Sequence, residues 1–99
     1  MTSPRDAFYA PDMQMTRAKI RKVVQAAIDT EGDPMAILAT MRDRSPLVAG
    51  VSSPLEDMAA WAGCLAVLAS DLVEQISHDG GVPVDEVLLV MLMLDERDQ

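Results

Sequence analysis

The chain of 99 residues contains one cysteine, one histidine, three aromatic residues and no asparagine. A single cysteine, Cys64, excludes an internal disulfide framework and any zinc or iron–sulfur site built from several thiolates; a reducing compartment is the expected setting. A single histidine, His78, leaves no second imidazole for a histidine-paired metal site. There is no glycine-rich phosphate loop and no nucleophile elbow. The longest unbroken apolar run, Val87 to Leu94, falls well short of the roughly 20 residues that cross a bilayer. The opening Met1-Thr2-Ser3-Pro4-Arg5-Asp6 has no apolar secretion signal, so a cytoplasmic location and no membrane association are expected.

Positive charge is scarce in one half. Residues 1–50 carry seven Lys/Arg against six Asp/Glu, whereas residues 51–99 carry only Arg97 against ten. With a net charge of -8, phosphates repel the chain and counterion release cannot drive a generic encounter with nucleic acid or anionic lipid. Six Arg against two Lys, and ten Val against four Ile, carry the mark of a GC-rich, bacterial genome.

What is present is apolar: 49% hydrophobic against 24% charged residues, a balance that folds rather than remaining disordered. Residues 1–12 hold two prolines with Phe8 and Tyr9 and show no period, which reads as a flexible N-terminal arm, or as aromatics that dock in a groove. Residues 13–99 read as a single helical domain. Asp12 or Thr16 can cap a first helix, whose Ile20, Val23, Val24, Ala27 and Ile28 recur at the spacing of one face, with Gly32 at its end. Asp33-Pro34 opens a second, with Ile37, Leu38 and Met41 as its stripe, stopping near Arg44 before Ser45-Pro46.

Ser53-Pro54-Leu55-Glu56 is a capping box with proline at the first helical position. The helix it opens runs to about His78, before Asp79-Gly80-Gly81. A last helix begins near Pro83, with Asp85 and Glu86 in its first turn where the dipole favours negative charge. Its run Val87–Leu94 has no polar member, so periodicity leaves a strand open; six Leu and Met against two β-branched residues favour helix. The expected fold is therefore all-α: a small four-helix domain with one long central helix, completed as a helical bundle by dimerisation.

The dimer follows from an excess of apolar surface. Projected at 100° per residue, the long helix places Leu55, Met58, Ala59, Ala62, Leu65, Ala66, Ala69, Leu72, Val73 and Ile76 on one face, which reads as the core side. Its opposite side shows Ala60, Gly63, Cys64 and Val67, and no charge occurs from Met58 through Ser70. The last helix is apolar all round, the mark of a buried element. We therefore expect a homodimer interface at Ala60, Trp61, Gly63, Cys64, Val67, Leu89, Val90 and Met93.

Other candidates are weaker. Arg17, Lys19, Arg21 and Lys22 are the only basic cluster and could contact nucleic acid, although the wheel does not align them in one stripe. Asp71, Glu74 and His78 lie on one side of the long helix, but a carboxylate-bridged metal site needs matching ligands on a second helix. Cys64 has no basic neighbour within a turn to activate it and reads as packing. We expect no cofactor, no metal and no catalysis. The expected function is a small helical protein–protein interaction and oligomerisation module with a further protein partner. The alternative is a regulator touching nucleic acid or its machinery, by its basic first helix or by acidic mimicry of DNA charge.

Overall fold

The computed structural model describes residues 3–94. They form five α-helices and no strand: α1 Pro4–Phe8, α2 Gln14–Asp29, α3 Pro34–Asp43, α4 Pro54–Gly80 and α5 Val84–Met91, with a 3-10 turn at Pro11–Met13 leading into α2. The chain is all-α, and α4, at 27 residues and 1.5 Å per residue, is about 40 Å long. The helix beyond the expected four is α1. It falls in the stretch whose composition shows no period.

Three helices start by one device. The Ser3 hydroxyl accepts from the Asp6 N–H at 3.1 Å, the Asp33 carboxylate from Met35 N–H at 3.1 Å and the Ser53 hydroxyl from Glu56 N–H at 3.0 Å. In each case proline comes next, where its missing N–H costs nothing and its fixed φ suits the first turn.

Three helices end by another, and two of them, α2 and α5, do so without glycine at the turn. At the end of α2, Glu31 takes the left-handed conformation (φ 54) and Gly32 N–H reaches back to Ala27 O at 2.8 Å. At the end of α5, Met93 does the same (φ 56), with Leu94 N–H on Leu89 O at 2.8 Å. This is the Schellman closure, with a side chain standing at the position glycine favours. Gly32 was expected to end α2 itself; it stands one residue later, and Glu31 makes the turn.

The chain packs as two compact units, Met1–Leu65 and Ala66–Gln99, with the division falling inside α4. In the first unit the buried apolar side chains are Phe8, Ile20, Val23, Leu47 and Trp61. Leu47 ties this unit together through its backbone. Its N–H donates to the Asp57 carboxylate at 2.7 Å and its carbonyl accepts from the Thr16 hydroxyl at 3.2 Å. Two buried polar groups of a connection are thereby satisfied, which is the condition for burying a connection at all.

Arg17 holds the start of the chain in place. Its guanidinium donates to Phe8 O at 2.8 Å and Ala10 O at 2.7 Å. The Phe8 carbonyl at the end of α1 thus gains a charged donor, and the Ala10 carbonyl a second donor beside Met13 N–H.

The second unit consists of the later half of α4 and of α5, joined by a tight turn. Gly81 (φ 64) makes the turn, and Val82 N–H returns to Ser77 O at 3.2 Å. The φ that Gly81 adopts is one that a side chain would strain. Only Val73 and Val87 are buried among the described residues of this unit.

Candidate functional site

The face of α4 that turns inward in the first unit is not the one with the most large apolar residues. Leu55 is 78% exposed and Met58 is exposed as well, whereas Trp61 is 2% exposed and Ala60 and Cys64 are half-buried. The reason lies in polar contacts that a hydrophobic projection ignores. Asp57 and Trp61 stand one turn apart on one side of the helix. Both reach the connection after α3: Asp57 to Leu47 N–H, and the Trp61 indole N–H to the Ser45 hydroxyl at 3.3 Å. Those bonds orient the helix, and the Leu55–Met58 side stays bare.

This changes what the expected interface residues can do. Trp61 is sequestered inside its own unit and offers no surface to a partner, while Ala60, Cys64 and Val67 are half-buried and Gly63 alone of that set lies open. Burial pushes the Cys64 thiol above its ordinary value. Less thiolate means a poorer nucleophile, as expected of a packing residue.

The second unit carries the large bare surface. On α4, Leu72 (56%) and Ile76 are exposed; on α5 and the turn after it Val90 (76%), Met91, Leu92 and Met93 (91%) are exposed. Leu89 is half-buried. Of the residues expected at an interface, Val90 and Met93 therefore stand free and Leu89 faces partly inward. The unit's described acidic side chains are Asp71, Glu74, Asp79, Asp85 and Glu86, and it has no Lys or Arg among its described residues.

The basic cluster is partly spent on the fold. Arg17 holds Phe8 O and Ala10 O, and Lys19 donates to Pro46 O. Arg21 and Lys22 remain exposed. Two cations are a thin footprint for phosphate binding. Asp71, Glu74 and His78 do not form a metal-binding group: among the described residues no three His, Cys, Asp or Glu side chains converge.

By length and composition α4 could cross a membrane, with a mean hydropathy of 1.3 over its most apolar 18 residues. Its uncharged stretch, Met58 through Ser70, is shorter. Thirteen residues at 1.5 Å each give about 20 Å, against the roughly 30 Å of a hydrocarbon core.

The surroundings of Asp57 favour its charged form. Its carboxyl lies below the ordinary value of 3.8. The Ser45 hydroxyl contributes most, then the Leu47 N–H; burial works in the opposite sense, and Trp61 and Lys19 add smaller favourable shares. Ser45 has a single proton to give, and the Met41 carbonyl at 3.0 Å competes for it. The Leu47 N–H has no such rival.

No protein-family model, curated protein or solved structure matches this chain.

Proposed function

We propose that this protein is a non-catalytic helical association module that pairs with a second copy of itself through its second unit. The observation that carries the reading is the imbalance of the second unit, in which two valines are buried while Leu72, Ile76, Val90, Met91 and Leu92 are exposed. A unit of 34 residues (66–99) lies below the size at which a hydrophobic core sustains itself. α5, at eight residues, is shorter than the roughly 12–15 at which an isolated helix becomes even marginal. A second copy of the unit related by a two-fold axis supplies the missing layer, giving four helices around one core.

The charge distribution sets a condition on this pairing. Two copies bring together five described carboxylates each, so association works against like-charge repulsion, and salt relieves it. A protein seam fits better than a bilayer, because every stretch of about 20 residues within α4 includes Asp71 together with Glu74 or with Glu56 and Asp57.

Sedimentation equilibrium from about 1 to 100 µM, at about 50 and 500 mM NaCl, tests the reading. The expected result is a dimer whose dissociation constant falls at the higher salt. Val90→Glu is the matching perturbation: burying a valine is worth about 1.5–3 kcal/mol and counts twice across a two-fold axis, so dimerisation should weaken by about 100-fold or more. A monomer at every concentration and salt, or an unaltered dimer in Val90→Glu, overturns the proposal.

A further inference from the structure

The first unit contains a cleft of about 490 Å³ between the end of α3, the connection that follows it and the start of α4. Its volume falls within the range of roughly 300–1,000 Å³ typical of small-molecule sites. Its lining sets apolar side chains, Leu38, Met41, Val51, Met58 and Trp61, beside three serines and the charged Arg42 and Asp57. Leu38 and Met58 are exposed there, so the apolar wall is in contact with solvent.

The charged groups of this wall are unequally engaged. Asp57 also lines the cleft, and its carboxylate is occupied by the Leu47 N–H at 2.7 Å. Arg44, two residues beyond Arg42, sits 3.7 Å from the Asp43 carboxylate. The Arg42 guanidinium makes no hydrogen bond or ion pair among the described residues. A guanidinium with its fork of donors open beside an apolar wall matches a carboxylate on an apolar body. The unit as a whole permits such an anion to approach, since residues 1–65 carry seven Lys/Arg against eight Asp/Glu, unlike the strongly acidic remainder.

We propose that this cleft binds a small amphipathic carboxylate, an aliphatic or aromatic acid whose apolar body lies on Leu38, Met41, Val51 and Met58 beside Trp61 and whose carboxylate meets Arg42. The site belongs to the first unit, and the proposal does not depend on self-association.

Trp61 is the only tryptophan in the chain, so its emission reports the cleft directly. The full-length protein is titrated with octanoate and, separately, with uncharged 1-octanol. The expected result is a saturable change in Trp61 emission, with octanoate binding more tightly than octanol. Arg42→Gln should weaken octanoate about tenfold and leave octanol unchanged, the effect of losing one charged hydrogen-bond donor. Met58→Glu, at an exposed position where folding tolerates a charge, should abolish octanoate binding while the helical circular dichroism is retained. The absence of a saturable change, equal affinity for acid and alcohol, or full octanoate affinity in either variant overturns the proposal. Sedimentation of the same samples reads the dimer separately.

Discussion

Phe8→Ala is the most demanding test of the first unit, because it acts on a residue from a stretch that looks dispensable. Phe8 is 5% exposed, and truncating a buried phenylalanine to alanine costs about 3–5 kcal/mol in transfer and cavity terms. A unit of 65 residues has about 3–10 kcal/mol of stability in all, at roughly 0.05–0.15 kcal/mol per residue. The substitution therefore removes a third of that stability at the least. At about 4–8 °C per kcal/mol for a domain of this size, the midpoint should fall by about 12–40 °C. Thermal unfolding followed by Trp61 fluorescence isolates this unit, since the other unit has no tryptophan. Tyr9→Ala is the control. Tyr9 is 45% exposed and meets the Phe8 ring edge-on with centroids 4.9 Å apart, a contact worth about 1 kcal/mol. The two substitutions lowering the midpoint equally, or Phe8→Ala lowering it by less than about 5 °C, would refute the claim that Phe8 belongs to the core.

Two further outcomes follow from the polar anchor and from the end of α5. The Asp57 carboxyl is held below 3.8, so its stabilising effect is complete above that pH and is lost as pH falls through the lower folded value. Acid melts read by Trp61 should show wild type losing stability below pH 3.8 and Asp57→Asn, already weakened at neutral pH, losing less over the same interval; parallel curves would contradict this. Met93 occupies a left-handed conformation (φ 56), a strain of about 1–2 kcal/mol for a residue with a Cβ, partly offset by the entropy that glycine loses. Met93→Gly should stabilise α5 by about 0.5–1 kcal/mol, raising hydrogen-exchange protection in Leu89–Leu92 about two- to fivefold; unchanged or lower protection would refute it.

Much of the helical layout is legible in the sequence because it is written in local chemistry. Asp33-Pro34 and Ser53-Pro54 announce α3 and α4, and both caps are present as hydrogen bonds. The same signal stands at Ser3-Pro4, where it opens α1; the absence of a hydrophobic period in so short a helix hides it, and the cap alone reveals it. The run Val87–Leu94, ambiguous between helix and strand by pattern, is helical through Met91.

What the sequence could not convey is which side of α4 is covered. A helix apolar on most of its circumference has no preferred inward direction from hydrophobicity, and the choice falls to Asp57 and Trp61, whose partners lie 10 and 16 residues away. Nothing in a helical projection registers a connecting segment that folds back to bond those two side chains. The surplus of apolar surface was readable in amount. Its location in the first unit was not, because Trp61 reads equally as an anchor of an interface or of the core edge until its indole N–H is seen to have a partner inside the chain.

Leu47 has a consequence for how this chain can vary. Its backbone is fixed at both polar ends, to Thr16 and to Asp57, so the segment Ser45–Leu47 has a set length: one residue added or removed there shifts both bonds out of register at once. Val48–Val51, by contrast, closes on itself through a turn, with Val51 N–H on Val48 O at 3.3 Å, and its tip at Ala49–Gly50 is exposed. Insertions and deletions should therefore accumulate at that tip and stop short of Leu47. In a lineage of such chains the gap in the alignment would fall at Ala49–Gly50, and the three residues before Val48 would keep their count even where their identities change.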